Sequence, residues 1–205
     1  MKDNTNPTRD PTSAGLKLVK SIDVLRRKDY DHDLCETLIE NGADLTVKGS
    51  TGLTALSAAS VNGLTDLAKI MLDKGADIEA QSPNGSTPLM LAILNNHPDT
   101  VGMLIRQGAN LHARNNDSNT PLMYAANRGN AQIVRMLLDK NVNLDDKNIY
   151  GNTAADFASW SNDKNILHII EKEPARRTAH AFRAAAEKGT ARARKIKRPA
   201  PNKPS

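Results

Sequence analysis

The apolar positions of this chain fall in short runs at helical spacing, separated by polar stretches of nearly constant length. Leu89, Leu91 and Ala92 begin one apolar face. Val101, Leu104 and Ile105 form a second, after the polar turn NNHPDT. Thr87 precedes the first run as a helix cap, with Pro88 at the first helical position, where a missing N–H costs nothing. Gly108 follows the second run as a left-handed stop, and ANLHARNNDSN then makes a polar excursion to the next threonine. The pattern predicts two short antiparallel helices and an extended hairpin-like loop.

That unit recurs. Thr54, Thr87, Thr120 and Thr153 are 33 residues apart, as are Gly42, Gly75, Gly108 and Asn141. The period predicts helix pairs at 54–61 and 65–73, 87–94 and 98–106, and 120–127 and 131–139. Small residues on the first helices (Ala59, Ala92, Ala125, Ala126) allow close approach, and Leu67, Ile70, Ile133, Val134 and Leu137 give the second helices bulk. One such pair cannot bury its apolar face alone, whereas stacked pairs can. The frame gives about five units, 16–48, 49–81, 82–114, 115–147 and 148–173, within a repeat domain over 14–173. Residues 1–13 are expected to be disordered. In the first unit Leu18, Ile22 and Leu25 mark the apolar side of a capping helix, with Arg26, Arg27 and Lys28 on the other side.

The run TPLM followed by Ala, the GAD turn and the 33-residue period resemble the ankyrin repeat over about residues 16–173. The resemblance implies an all-α solenoid of stacked helix pairs joined by β-hairpin loops. It also implies a partner-binding concave face, built from hairpin tips and the outer sides of the first helices. Some positions depart from the family. Ser57, Met90, Met123 and Asp156 stand where it usually has His, which leaves open the inter-repeat hydrogen bond made there. Asn141 and Ser118 replace loop glycines.

Composition narrows the class. Hydrophobic residues make up 39% of the 205 residues and aromatics 3%, so the core must be built from Ala, Leu, Ile, Val and Met, which favours helices over a β-sandwich. No apolar run approaches the roughly 18–20 residues of a membrane span. The N-terminal stretch lacks the apolar core of a signal peptide, and Cys35 is the single cysteine. The expected location is therefore cytoplasmic, with the nucleus, or export without a cleavable signal, as alternatives. The net charge of +5 hides an asymmetry. Residues 174–205 hold ten basic residues against one acid, Glu187, a balance of +9, so residues 1–173 carry −4.

Candidate chemistry is sparse. No phosphate-binding glycine loop, HExxH pair or GxSxG elbow is present. GSTG at 49–52 belongs to a hairpin tip. His32 and Cys35 are three residues apart with Asp31 and Asp33 nearby, but Cys35 shares the core-facing slot of Ala68, Val101, Val134 and Leu167. His97, His112 and His168 fall in three different repeats. The reading is therefore a non-catalytic adaptor, with no metal or cofactor, expected to be a monomer that binds a protein partner.

Mapped through the repeat frame, the candidate contact residues are Lys48, Leu53, Asn84, Leu94, Asn95, Arg114, Asp117, Asn127, Arg128, Lys147, Tyr150 and Trp160. Lys48, Arg114, Arg128 and Lys147 form a basic sub-row suited to a partner with acidic groups. Tyr150 and Trp160 fall at outward positions, where aromatic residues serve as binding hot spots, although Trp160 is equally placed to cap the final repeat. Tyr124 and Phe157 share the slot of Ala58 and Leu91 and are expected in the core. Pro174 is read as opening a helix at about 175–188, followed by a disordered basic stretch with Arg192, Arg194, Lys195, Lys197 and Arg198. That tail is the alternative binding element, suited to nucleic acid or an anionic membrane with the repeats as a spacer.

Overall fold

The computed structural model describes residues 10–23, 31–161, 163 and 165–177. Its helices are α1 (Pro11–Asp23), α2 (His32–Glu40), α3 (Ala55–Asn62), α4 (Thr65–Asp73), α5 (Pro88–Leu94), α6 (Pro98–Arg106), α7 (Pro121–Arg128), α8 (Ala131–Leu138) and α9 (Ala154–Trp160). A tenth, α10, covers 165–177. The odd-numbered helices pack side by side in one row and α2, α4, α6 and α8 in a second, so each unit contributes one helix to each row.

The local signals act as the sequence predicts. The hydroxyls of Thr54, Thr87, Thr120 and Thr153 accept the backbone N–H three residues on, capping α3, α5, α7 and α9. In α9 the cap is reciprocal. Asp156 accepts from the backbone N–H and the hydroxyl of Thr153, and these bonds hold its carboxyl below the usual range. After the second helices, Gly42, Gly75 and Gly108 take φ of 80°, 88° and 89°, and Asn141 takes the same role at 55°. Ser118, in the place of a loop glycine, also lies at positive φ.

The core is continuous through both rows. Ala59, Ala92, Ala125 and Ala126 are fully buried between neighbouring first helices, and Leu67, Leu104, Ile133, Val134 and Leu137 fill the space between the rows. Cys35 is fully buried in its expected slot. Burial, with the nearby Asp31 charge, pushes its thiol up to about 11. Native protein at pH 8 should therefore leave Cys35 unalkylated by iodoacetamide over hours, while protein in denaturant reacts within minutes. Mass spectrometry reads the difference, and fast native labelling would contradict the packing.

Three expectations need correction. First, residues 10–13 are ordered. Asp10 accepts from the backbone N–H of Thr12 and Ser13, and Pro11 opens α1, so Asp-Pro here works like Thr-Pro in the later repeats. Second, Pro174 opens nothing, because α10 passes through it without a break. Glu173, 3% exposed, is held by Arg176 at 2.8 Å and Arg177 at 3.1 Å. Arg176 also reaches Asp139 at 2.7 Å, and Arg177 donates to the carbonyl of Val142. The first two arginines assigned to the tail are thus part of the fold. The rest of the helix expected at 175–188 and the basic stretch after it lie outside the described residues, as do Leu25, Arg26, Arg27 and Lys28.

Third, the loops form tight turns rather than extended hairpins, and no strand occurs among the described residues. Each turn is closed by two backbone bonds: an outer one, from Gly49 to Leu53, Ser82 to Ser86, Asn115 to Asn119 and Asn148 to Asn152, and an inner one, from Gly52 to Gly49, Gly85 to Ser82, Ser118 to Asn115 and Gly151 to Asn148. A single isolated bridge, Lys48 with Thr54, extends the first of them. Side chains replace the missing ladder. Asn115 Oδ1 accepts from Asp117 and Asn119, and Asn148 Oδ1 from Tyr150 and Asn152.

Candidate functional site

The candidate face consists of the row of turns and the C-terminal ends of the first helices. Successive turns are bonded to one another. Asn116 N–H donates to the Asn84 carbonyl at 3.0 Å, and Ile149 N–H to the Asp117 carbonyl at 3.0 Å. Asn148 Nδ2 donates to Asn119 Oδ1 at 2.9 Å, deep in the row. These contacts join the repeats where the family's usual His is absent, together with a bond between the His97 ring and the Val61 carbonyl.

One rung of this ladder is missing. Asn115 and Ser86 stand one repeat before Asn148 and Asn119, but Asn115 Nδ2 donates instead to the Tyr124 hydroxyl at 2.8 Å. Ser86 Oγ is left buried with no hydrogen-bond partner. A buried hydroxyl without a partner is destabilising, so Ser86→Ala should raise stability by about 1 kcal/mol. Denaturant melts of the two proteins check this, and a loss of similar size would show that the hydroxyl is satisfied in solution.

The candidate contact residues divide into committed and uncommitted side chains. Lys48 Nζ donates to the Gln81 carbonyl at 2.9 Å, and Arg114 donates to the Lys147 carbonyl at 3.0 Å and to Asp146 at 2.8 Å. Both cations therefore reach exactly one period along the chain and join adjacent repeats. Asn84 accepts from Ser86 N–H within its own turn, and Asn95 donates back to the Leu91 carbonyl. Leu53, Leu94 and Asp117 are half-buried. The basic sub-row expected from Lys48, Arg114, Arg128 and Lys147 is thus reduced to Arg128 and Lys147, because the other two are tied to carbonyls.

Asn127, Arg128, Lys147, Tyr150 and Trp160 remain exposed, with no side-chain hydrogen bond or ion pair among the described residues. All belong to the units 115–147 and 148–173. Tyr150 is 70% exposed and Trp160 59%. The Trp160 ring lies 5.2 Å from that of Phe157 at a tilt of 58°. Ile149, beside Tyr150 at the same turn tip, is 59% exposed and adds apolar area there. Phe157 and Tyr124, expected in the core, are half-buried, and the Tyr124 hydroxyl turns to the Asn115 side chain.

Chemistry elsewhere is dispersed. His32 pairs with Glu36 at 3.0 Å, and no three His, Cys, Asp or Glu side chains converge as a metal site among the described residues.

Comparison with known families agrees with the architecture. Residues 24–115 match a family model described as ankyrin repeats (3 copies), and residues 104–158 one described as ankyrin repeats (many copies). The chain belongs to the ankyrin-repeat family. Ankyrin repeats generally mediate protein–protein interaction and typically act as non-catalytic scaffolds. No curated protein matches the chain. No helix among the described residues of this ankyrin protein is long and apolar enough to cross a membrane.

Proposed function

We propose that the chain is a non-catalytic adaptor that holds a protein partner on its turn-and-first-helix face, with the contact concentrated on the last two repeats. The observation that carries this reading is the concentration of exposed, uncommitted side chains there. Ile149, Tyr150 and Trp160 offer apolar area, and Arg128 and Lys147 offer charge. Turn packing explains the exposure of Tyr150. Pro83 covers Gly52 and Asn116 covers Gly85, whereas among the described residues nothing lies within 4 Å of where a Cβ would stand on Gly151. The partner suited to this surface presents an apolar side chain flanked by acidic groups.

Site-directed photocrosslinking tests the reading. A photoreactive phenylalanine at position 150 or 160 should trap one and the same partner in cells, and one at exposed Lys69 on α4 should not. A partner trapped equally from all three positions would contradict it.

The second reading assigns binding to the basic tail, whose charge is +7 over 178–205 once the paired Arg176 and Arg177 are set aside, and which suits a polyanion. Affinity for duplex DNA should then fall steeply between about 50 and 200 mM salt, by a factor set by the number of phosphates neutralised.

A further inference from the structure

Between α8 and α10 lies a groove of about 310 Å³ that the partner-binding reading does not use. Its apolar floor comes from Leu138, which is buried, and Ile169, which is half-buried. Two acids line it, and both are spoken for. Asp139 pairs with Arg176 at 2.7 Å, and Glu173 with Arg176 at 2.8 Å and Arg177 at 3.1 Å. That network of two acids and two arginines closes on itself at zero net charge. Arg135 on α8 and Lys172 on α10 also line the groove, and both are exposed. Neither makes a side-chain hydrogen bond or ion pair among the described residues. The groove thus carries two uncompensated positive charges beside an apolar floor, with the His168 ring on the same wall.

We propose that this groove binds a small phosphate monoester with a short apolar or aromatic body, the phosphate between Arg135 and Lys172 and the body against Leu138 and Ile169. Charge selects the head group. Above its second pKa of about 6 a phosphate monoester is a dianion, which cancels both cations, whereas a monocarboxylate leaves one unmatched. The guanidinium fork of Arg135 suits two phosphate oxygens, and Lys172 adds a mobile point charge. Size limits the body, because the groove is at the lower end of the roughly 300–1,000 Å³ usual for small-ligand sites.

The test titrates phenyl phosphate into the full chain at pH 7.5, by calorimetry and by amide chemical shifts. Saturable binding is expected, with shifts concentrated on α8 and α10. Arg135→Gln with Lys172→Gln should weaken it at least about tenfold, a loss of about 1.4 kcal/mol, and benzoate should bind the parent at least about tenfold more weakly. Both replaced side chains are exposed, so the double variant should keep the parent's circular dichroism. Combining Arg192→Gln, Arg194→Gln, Lys195→Gln, Lys197→Gln and Arg198→Gln should leave the affinity unchanged. The proposal is overturned if phenyl phosphate does not saturate, if benzoate binds as well, if the groove variant binds like the parent, or if the tail variant loses binding.

Discussion

Ala125→Glu should unfold the repeat stack or leave it barely stable. Ala125 is fully buried on α7, which packs against α5, α8 and α9. Small residues fill this slot because neighbouring first helices meet there. A glutamate brings a charge with no partner into that contact, at a cost of several kcal/mol. The added side-chain volume costs roughly 1–3 kcal/mol more. The stability opposing both is about 5–15 kcal/mol. Each kcal/mol moves the melting temperature of a domain this size by about 2–4 °C, so a drop beyond about 10 °C, or loss of the cooperative transition, is expected by circular dichroism. Asn127→Glu, two residues away but exposed, is the control and should stay within about 0.5 kcal/mol of the parent. An Ala125→Glu variant that melts like the parent would mean that the helix frame is wrong.

The second large effect concerns binding. Tyr150→Ala and Trp160→Ala should each weaken the partner complex by about 2 kcal/mol or more, near thirtyfold. Both rings are mostly exposed in the free protein, so truncation removes area that the proposed partner would cover. Among the described residues the Trp160 ring contacts that of Phe157, and losing that contact should cost the fold only about 0.5–1.5 kcal/mol. Lys48→Ala makes the opposite prediction. That side chain is bonded to the Gln81 carbonyl, so its loss should loosen the turn row and leave affinity nearly unchanged.

Much of this architecture was legible in the sequence because each repeat carries its own local signals. Thr87-Pro88 starts α5 within one residue of the expected position, and Gly108 and Asn141 stop the second helices at positive φ. Periodicity also placed Cys35 in the core. What escaped depends on tertiary context. Pro174 is a helix breaker by propensity, yet α10 runs through it, with the buried Glu173 carboxylate gripped by two arginines at this point. Lys48 and Arg114 read as free charges because spacing shows where a side chain starts and not which carbonyl it reaches. Their targets are one period away in both cases, so the repeat frame held an unused hint. The missing rung at Ser86 depends on one hydroxyl, that of Tyr124, taking the Asn115 amide, and no pattern of apolar positions encodes that choice.

The site was legible to a lesser degree. Twelve positions followed from the frame, but only the structure separates Arg128, Lys147, Tyr150 and Trp160 from cations and amides already committed to neighbouring turns. The tail remains a matter of charge. Removing residues 190–205 deletes Arg192, Arg194, Lys195, Lys197, Arg198 and Lys203 and no acid, taking the net charge from +5 to −1.

The most direct test of the central claim compares the dissociation constant of the crosslinked partner for three proteins at one salt concentration. They are the parent, the Tyr150→Ala and Trp160→Ala double variant, and a chain ending at residue 189. A partner held on the last two repeats predicts a loss of about a hundredfold or more in the double variant, and less than about tenfold on truncation, through slower association with an acidic partner. Truncation that abolishes binding, with the double variant still binding like the parent, would contradict the claim and make the repeats the carrier of a binding tail.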